Sequence, residues 1–354
     1  MYDPQFAGGS APCATGRGRA VIGAAGNRLG MMLVTLFGVA AAVFALLRLA
    51  PGDPIAMMVG PGATAADIAA LREHYGLDGG LPLQFWMWLR AMAHGDFGTS
   101  ISLRRNVLEL IVDRLPATLE LALCSFGIAL LVGTTAAIVG SLLRRTAAET
   151  AIDGLTGLLL AVPDFIWALA LILLFGVSLP LFPLAGRIDP VLGTAFHTRF
   201  YLLESLVTGR PGPALDVLAH LAMPVLALAL PLAAVVARVL KAALEEAMVQ
   251  DYVLLARVKG LSELRIVTRE ALRNAVGPTL ALTGVQFTFL LGGTVIVERL
   301  FSYPGIGNMA IDAVINRDLP LIQGLVLVFG LLFVLTNLTV DLAVVGLNPR
   351  LRHG

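Results

Sequence analysis

"DYVLLARVKGLSELRIVTREAL", residues 251–272, gathers seven charged side chains in a chain where only 14% of residues are charged. Apolar runs flank it on both sides, roughly 221–243 before it and 276–298 after it. Charge confined between two such runs reads as a loop on one face of a membrane. Composition agrees with that reading. The 354 residues are 57% hydrophobic with a mean hydropathy of +0.85, whereas soluble domains are about half apolar and about a quarter charged. A helix crossing a hydrocarbon layer of ~30 Å needs about 20 apolar residues at ~1.5 Å each. Four further runs meet that length, at 29–50, 116–143, 153–178 and 321–345, which makes six spans. The second is expected to open at Pro116, where a missing N–H costs a helix little.

Orientation follows from lysine and arginine in short loops. Both lysines, Lys241 and Lys259, lie around the charged stretch, with Arg238, Arg257, Arg265, Arg269 and Arg273. Arg144 and Arg145 follow the second span, and Arg17, Arg19 and Arg28 precede the first. With six spans these segments share one side, the cytoplasm, and both termini lie there. The expected organisation is a cytoplasmic tail (1–28), a first transmembrane helix (29–50), an external loop with short amphipathic helices (51–115), and a five-span core (116–354) carrying the cytoplasmic loop 246–273. In the external loop, "TAAD" (64–67) is a capping-box pattern opening a helix to about Tyr75. "LPLQFWMWLRAMA" (81–93) is aromatic enough for the membrane interface, or for a helix packed on the ends of the spans. The first span exceeds the apolar length of a signal peptide and lacks a small-x-small cleavage site, so it reads as an uncleaved helix. A net charge of +1 implies no nucleic-acid partner, and Cys13 and Cys124 do not suggest a disulfide framework.

Within the charged stretch the pattern predicts a helix from Asp251 to Lys259. Gly260 stands where a helix end wants a left-handed residue. Ser262 is positioned as an N-cap with Glu263 in the first turn, and a second helix runs to about Leu272. One face carries Tyr252, Leu255, Ala256 and Lys259, which suits a docking surface for a soluble partner better than a solvated loop. Enzyme signatures fail. "GIGNMA" (305–310) fits a dinucleotide fingerprint in letters only, since it follows a membrane span and not a strand. No phosphate-binding G-x-x-x-x-G-K-[ST], H-E-x-x-H or G-x-S-x-G occurs, so no cofactor, metal or catalytic residue is assigned. Gly133 with Ala137, and Ala136 with Gly140, mark a close helix contact in the second span. Glu120, Glu298 and Arg299 are expected to reach the outer interface, and Asn337 and Asp341 to bond neighbouring helices. Asp164 follows Pro163 near the middle of the third span, where an uncompensated charge costs at least ~2.5 kcal/mol. Its carboxylate could be protonated and bonded in the bundle, paired across a subunit interface, or turned to a translocation pathway.

Read whole, "DYVLLARVKGLSELRIVTREALRNAVGP" resembles the cytoplasmic EAA-type loop of binding-protein-dependent ABC importer permeases, the dipeptide/oligopeptide-type family above all. "LLRLAPGDPIA" (47–56), "HGDFGTSI" (94–101), "RLPATLELAL" (114–123), "VERLFSYPGIGNMAIDAVINRDLPLIQG" (297–324) and "LTNLTVDLAVVGLNPRLR" (335–352) agree with it in family order. The leading block with its long outer loop resembles the first of the two paralogous permeases such systems use. The triplet itself reads Leu254, Leu255, Ala256, with only the alanine kept. Glu270 stands where histidine is usual, and Asn348 where aspartate is usual. The resemblance implies an all-α polytopic membrane protein of type I ABC importer permease fold in a bacterial inner membrane. It implies a heterodimer with a second permease, two cytoplasmic ABC ATPases and an external solute-binding protein, the solute being a peptide or similar small molecule. ATP hydrolysis falls to the separate ATPases, so the chain itself is no enzyme. By match to the motif, Asp251, Tyr252, Ala256, Arg257, Lys259, Gly260, Ser262 and Glu263 are the ATPase-coupling positions. The competing function is an ATP-independent channel or secondary transporter.

Overall fold

The computed structural model describes residues 30–45 and 80–347, and these are helical with no strand among them. In chain order the helices are α1 (Gly30–Ala45), α2 (Leu81–Ala93), α3 (Val107–Leu142), α4 (Ala147–Ala161), α5 (Asp164–Ser178), α6 (Tyr201–Val207), α7 (Pro211–Met248), α8 (Asp251–Val258), α9 (Glu263–Leu300), α10 (Ile306–Ile315) and α11 (Leu319–Leu347). Four of them, α3, α7, α9 and α11, are each long and apolar enough to cross a membrane, and α4 with α5 makes a fifth, bent span. Of the expected first span, residues 30–45 are helical as α1, a shorter apolar helix; the rest of 29–50, and the "TAAD" helix, lie outside the described residues.

The long helices overrun the apolar runs at both ends, because hydropathy registers only the part that meets hydrocarbon. α3 shows why. It opens at Val107 and not at Pro116, since Asn106 caps it, its Oδ1 accepting from the N–H of Leu108 (2.8 Å) and Glu109. Pro116 is therefore inside the helix. α7 is the axis of the fold: 67% of its apolar window is buried, against 22% for α11. A helix apolar all round is a core helix, and Leu221, Met223, Leu228 and Val236 of α7 pack with Leu121 of α3, Leu171 of α5 and Val297 of α9. The small residues of α3 make the α3–α7 contact. A Cβ on Gly133 would sit 2.5 Å from the Ala233 carbonyl oxygen, and Ala137 is buried one turn on. Asn337 of α11 accepts from the Thr288 hydroxyl of α9 (3.4 Å), the expected inter-helix bond; the Asp341 side chain lies outside the described set. Of the two roles expected of α2, the structure shows the packing on the end of a span. Phe85 and Trp88 pack on Phe44 of α1, while Trp86 and Met87 stay exposed.

The third span is not one kinked helix. Val162 is extended because proline disfavours helical backbone in the residue before it, so α4 stops at Ala161. α5 restarts at Asp164 with the axis turned by 101°.

Candidate functional site

The charged stretch folds as a helix–glycine–helix hairpin. α8 closes in a Schellman motif. The N–H of Gly260 donates to the Arg257 carbonyl (2.9 Å) and that of Leu261 to the Ala256 carbonyl (3.2 Å). Gly260 has φ +76°, the left-handed conformation its position predicts. Across the turn, Arg257 Nε donates to Glu263 Oε1 (2.8 Å) and Nη2 to Oε2 (3.2 Å). Beneath it Val253, Ala256 and Ile266 form a small core closed by Met248 and Leu261. The hairpin thus carries its own hydrophobic seam and an ion pair, and through Met248 and Ile266 it packs on the end of α7 and the start of α9.

The expected positions divide. Asp251, Tyr252, Leu255, Arg257, Lys259, Gly260, Ser262 and Glu263 are all at the surface. Ala256 is not: it is 6% exposed and faces the hairpin's own core, so the predicted single face of Tyr252, Leu255, Ala256 and Lys259 is corrected there. The helix turns Ala256 with Val253 inward, three apart, and leaves Leu255 outside. Ser262 occupies the N-cap position by backbone, but its hydroxyl makes no capping bond; its carbonyl accepts from the Ile266 N–H (2.9 Å). The sequence reading missed Val249, Leu254, Val258 and Leu264, which are exposed, Val258 at 78%. Their signal was present: apolar residues on the outer positions of a short helix lying beyond the hydrocarbon.

Next to the hairpin, Lys241 of α7 contacts Glu149 (2.8 Å) and Asp153 (2.7 Å) of α4. This fastens the first half of the bent span to the helix that leads into α8. At the bend, Asp164 Oδ1 accepts from the N–H of Phe165 (2.8 Å), and the carboxyl lies against Gly293 of α9.

The opposite end of the bundle is held by buried carboxylates. Glu120 and Glu298 do not reach the interface as expected, because each is satisfied internally. Glu120 takes Arg187 Nη2 (2.6 Å) and the N–H groups of Leu202 and Leu203 at the start of α6. The Arg187 guanidinium also lies over the Tyr201 ring, 3.9 Å from its centre. Glu298, fully buried, accepts from the Thr118 hydroxyl (2.6 Å) and the Asn308 N–H (2.9 Å) at the N-terminus of α10. That contact explains the glycines of "GIGNMA": a Cβ on Gly305 would collide with the Glu298 carboxyl, and one on Gly307 would come within 2.6 Å of Val295 Cα. Arg299 is exposed and pairs with Asp312 (2.8 Å). Asp318 accepts from the hydroxyls of Ser100 (2.6 Å) and Ser102 (2.7 Å). Burial alone would raise its carboxyl, but these bonds and the Ser102 N–H hold it below the ordinary value. Glu204 is drawn down to about 2, chiefly by the backbone N–H of His197, then by the hydroxyl and N–H of Thr198.

A hydrophobic bundle with an apolar-tipped hairpin at one end and a cap of buried carboxylates at the other has the build of a membrane subunit that meets a protein partner. Residues 115–353 match the family of binding-protein-dependent transport system inner membrane components, and 26–122 match the N-terminal family of the same membrane components. The chain belongs to that family. It is 38% identical to the di/tripeptide transport system permease protein DppB of Pseudomonas aeruginosa over 328 residues, covering 92% of this chain and 98% of that one. It is 34% identical to the dipeptide transport system permease protein DppB of Escherichia coli and 35% to the glutathione transport system permease protein GsiC of Salmonella choleraesuis, with the same coverage. The fold is also that of the MetNI methionine ABC transporter captured in inward-facing conformations. That match has a TM-score of 0.53 at 14% identity and covers 68% of this chain and 97% of that one.

Proposed function

We propose that this chain forms half of the translocation pathway of an ATP-driven importer for short peptides. It works beside a paralogous second permease, with two cytoplasmic ABC ATPases and an external solute-binding protein. The observation that carries the reading is the exposed apolar surface of the hairpin. Val249, Leu254, Leu255 and Val258 stand in the open beyond the apolar spans, rimmed by Asp251, Lys259 and Arg265. An apolar patch with a charged rim outside the bilayer fits a protein partner. The proposed coupling set is Asp251, Tyr252, Arg257, Lys259, Gly260, Ser262 and Glu263, with Ala256 setting the hairpin's internal packing. ATP-driven closure of the ATPases moves the hairpin as a unit. α7 and α9 run from it into the membrane, and Lys241 passes the displacement to α4 and so to the bend. This is a two-state element biased by nucleotide. Peptide as the solute is supported by the relatives, which are named as di/tripeptide, dipeptide and glutathione transport permeases.

The test is cross-linking. In complexes purified with their ATPases, a cysteine at Leu255 or Val258 forms a disulfide with cysteines in a surface groove of an ATPase subunit, and nucleotide changes its yield. A chain that purifies alone and moves solute without ATP is instead the channel or secondary transporter.

A further inference from the structure

We propose that Asp164 is the point where the cationic group of the solute, the amino terminus of a peptide, is met on its way across. This rests on the peptide-importer reading above.

The carboxylate sits where the third span breaks, at the first residue of α5 after the 101° bend. One oxygen is committed locally, Oδ1 to the Phe165 N–H (2.8 Å). The other, Oδ2, has no hydrogen-bond donor and no cation among the described residues. Oδ2 lies over Gly293 of α9, where a Cβ would be 2.6 Å away, so the missing side chain gives the carboxylate its seat. Leu228 of α7 forms the wall beside it. Next along α9, Gly292 is exposed, with nothing within 4 Å of where its Cβ would be. Asp164 itself is only partly buried. One turn further on, the Trp167 Nε1 donor is buried without an acceptor, so the break is not internally satisfied.

Depth also fits. Gly293 precedes Glu298 by five residues, a rise of about 7–8 Å, which places Asp164 in the half of the apolar layer nearer the pinned cap and not at the midplane its position in the span predicted. Of the three readings the sequence left open, bonding within the bundle is not seen for Oδ2. The bond to the Phe165 N–H uses Oδ1 alone and needs no charge. An ammonium group brings three donors and a full charge to an acceptor in a low-dielectric surrounding, which is the strong form of a hydrogen bond.

The test uses the complete transporter in proteoliposomes with its binding protein, alanyl-alanine as solute, and the variants Asp164→Asn and Asp164→Glu. Asparagine keeps the bond to Phe165 and removes the charge; glutamate keeps the charge and alters the fit. Both are expected to purify with the second permease in unchanged proportion. Uptake should fall at least tenfold in Asp164→Asn and be largely retained in Asp164→Glu. Unchanged uptake in Asp164→Asn overturns the proposal, as does equal loss in both variants, which would mean geometry rather than charge. Loss of the second permease from Asp164→Asn also overturns it, since the carboxylate would then be an inter-subunit ion-pair partner. Wild-type complex that moves no alanyl-alanine takes down the peptide reading and this assignment together.

Discussion

Gly307→Ala puts one methyl group where the structure has no room. Its Cβ would lie 2.6 Å from Val295 Cα and 2.9 Å from Glu298 Oε2. The first neighbour is helix backbone near the C-terminal end of α9 and cannot swing away. The second is a fully buried carboxylate already accepting from Thr118 and Asn308. Overpacking of this kind costs about 1–3 kcal/mol. If the carboxyl yields, it gives up its hydrogen bond to the Asn308 N–H, worth about 0.5–1.5 kcal/mol. Together these come to roughly 2–4 kcal/mol, or on the order of 5–10 °C in thermal midpoint. The backbone of Gly307 is ordinary, so conformational strain adds nothing. Gly154→Ala and Gly157→Ala are the controls. Both glycines lie in α4 with open space at the Cβ position, and alanine there should be neutral or gain up to about 1 kcal/mol of helix propensity. Midpoints of the purified complex in nanodiscs decide it. If Gly307→Ala melts with the α4 controls, the Glu298 anchor is wrong as described.

Gly260→Pro should leave the protein inserted and assembled but abolish solute-stimulated ATP hydrolysis, because proline forbids φ +76° and removes the N–H that closes α8 on Arg257; Gly260→Asn, which tolerates the left-handed region, should keep most of it. Ala256→Arg, placed in the hairpin's own core, should lower the midpoint of the isolated chain as well as coupling, and a normal midpoint would contradict the inward placement. Lys241→Met leaves Glu149 and Asp153 without their shared cation; hydrogen exchange in 147–161 should rise, whereas Glu245→Gln, at 4.0 Å from the same ammonium, should change little. The Glu204 carboxyl at about 2 lies below its ordinary 4.5, so its contribution is complete above about pH 4.5 and drains as pH falls toward 2. Protection factors in 196–208, with exchange rates corrected for their intrinsic pH dependence, should be flat from pH 8 to 5 and fall below 4, and Glu204→Gln should abolish that change.

Much of this was legible in the sequence, and the reasons are local. Hydropathy finds spans because hydrocarbon imposes one length. Gly260 could be placed because a helix end needing positive φ has few residues to choose from. What stayed hidden depended on partners far along the chain. Glu120 and Glu298 look like interfacial carboxylates until Arg187, Thr118 and the start of α10 are brought beside them, from 67, 180 and 10 residues away. Ala256 was assigned outward because a helix of two turns supports more than one rotation, and only the contact with Ile266 fixes which is real. Pro163 announced a kink, but a turn of 101° is set by what α5 packs on, namely α7 and α9. The glycines of "GIGNMA" drew attention as a phosphate motif; their actual cause, a carboxylate approaching a helix start, leaves no signature of its own at that spacing.

The central claim is that this membrane subunit moves peptide only when driven through its hairpin by ATP. The direct measurement is uptake of labelled alanyl-alanine into proteoliposomes holding the full complex and its binding protein, comparing wild type with the Leu254→Asp, Leu255→Asp double variant. The account predicts ATP-dependent accumulation above the outside concentration for wild type, and none for a variant that still inserts but no longer binds the ATPases. Equal uptake by both, or wild-type flux that runs only down the gradient whether or not ATP is present, would contradict it.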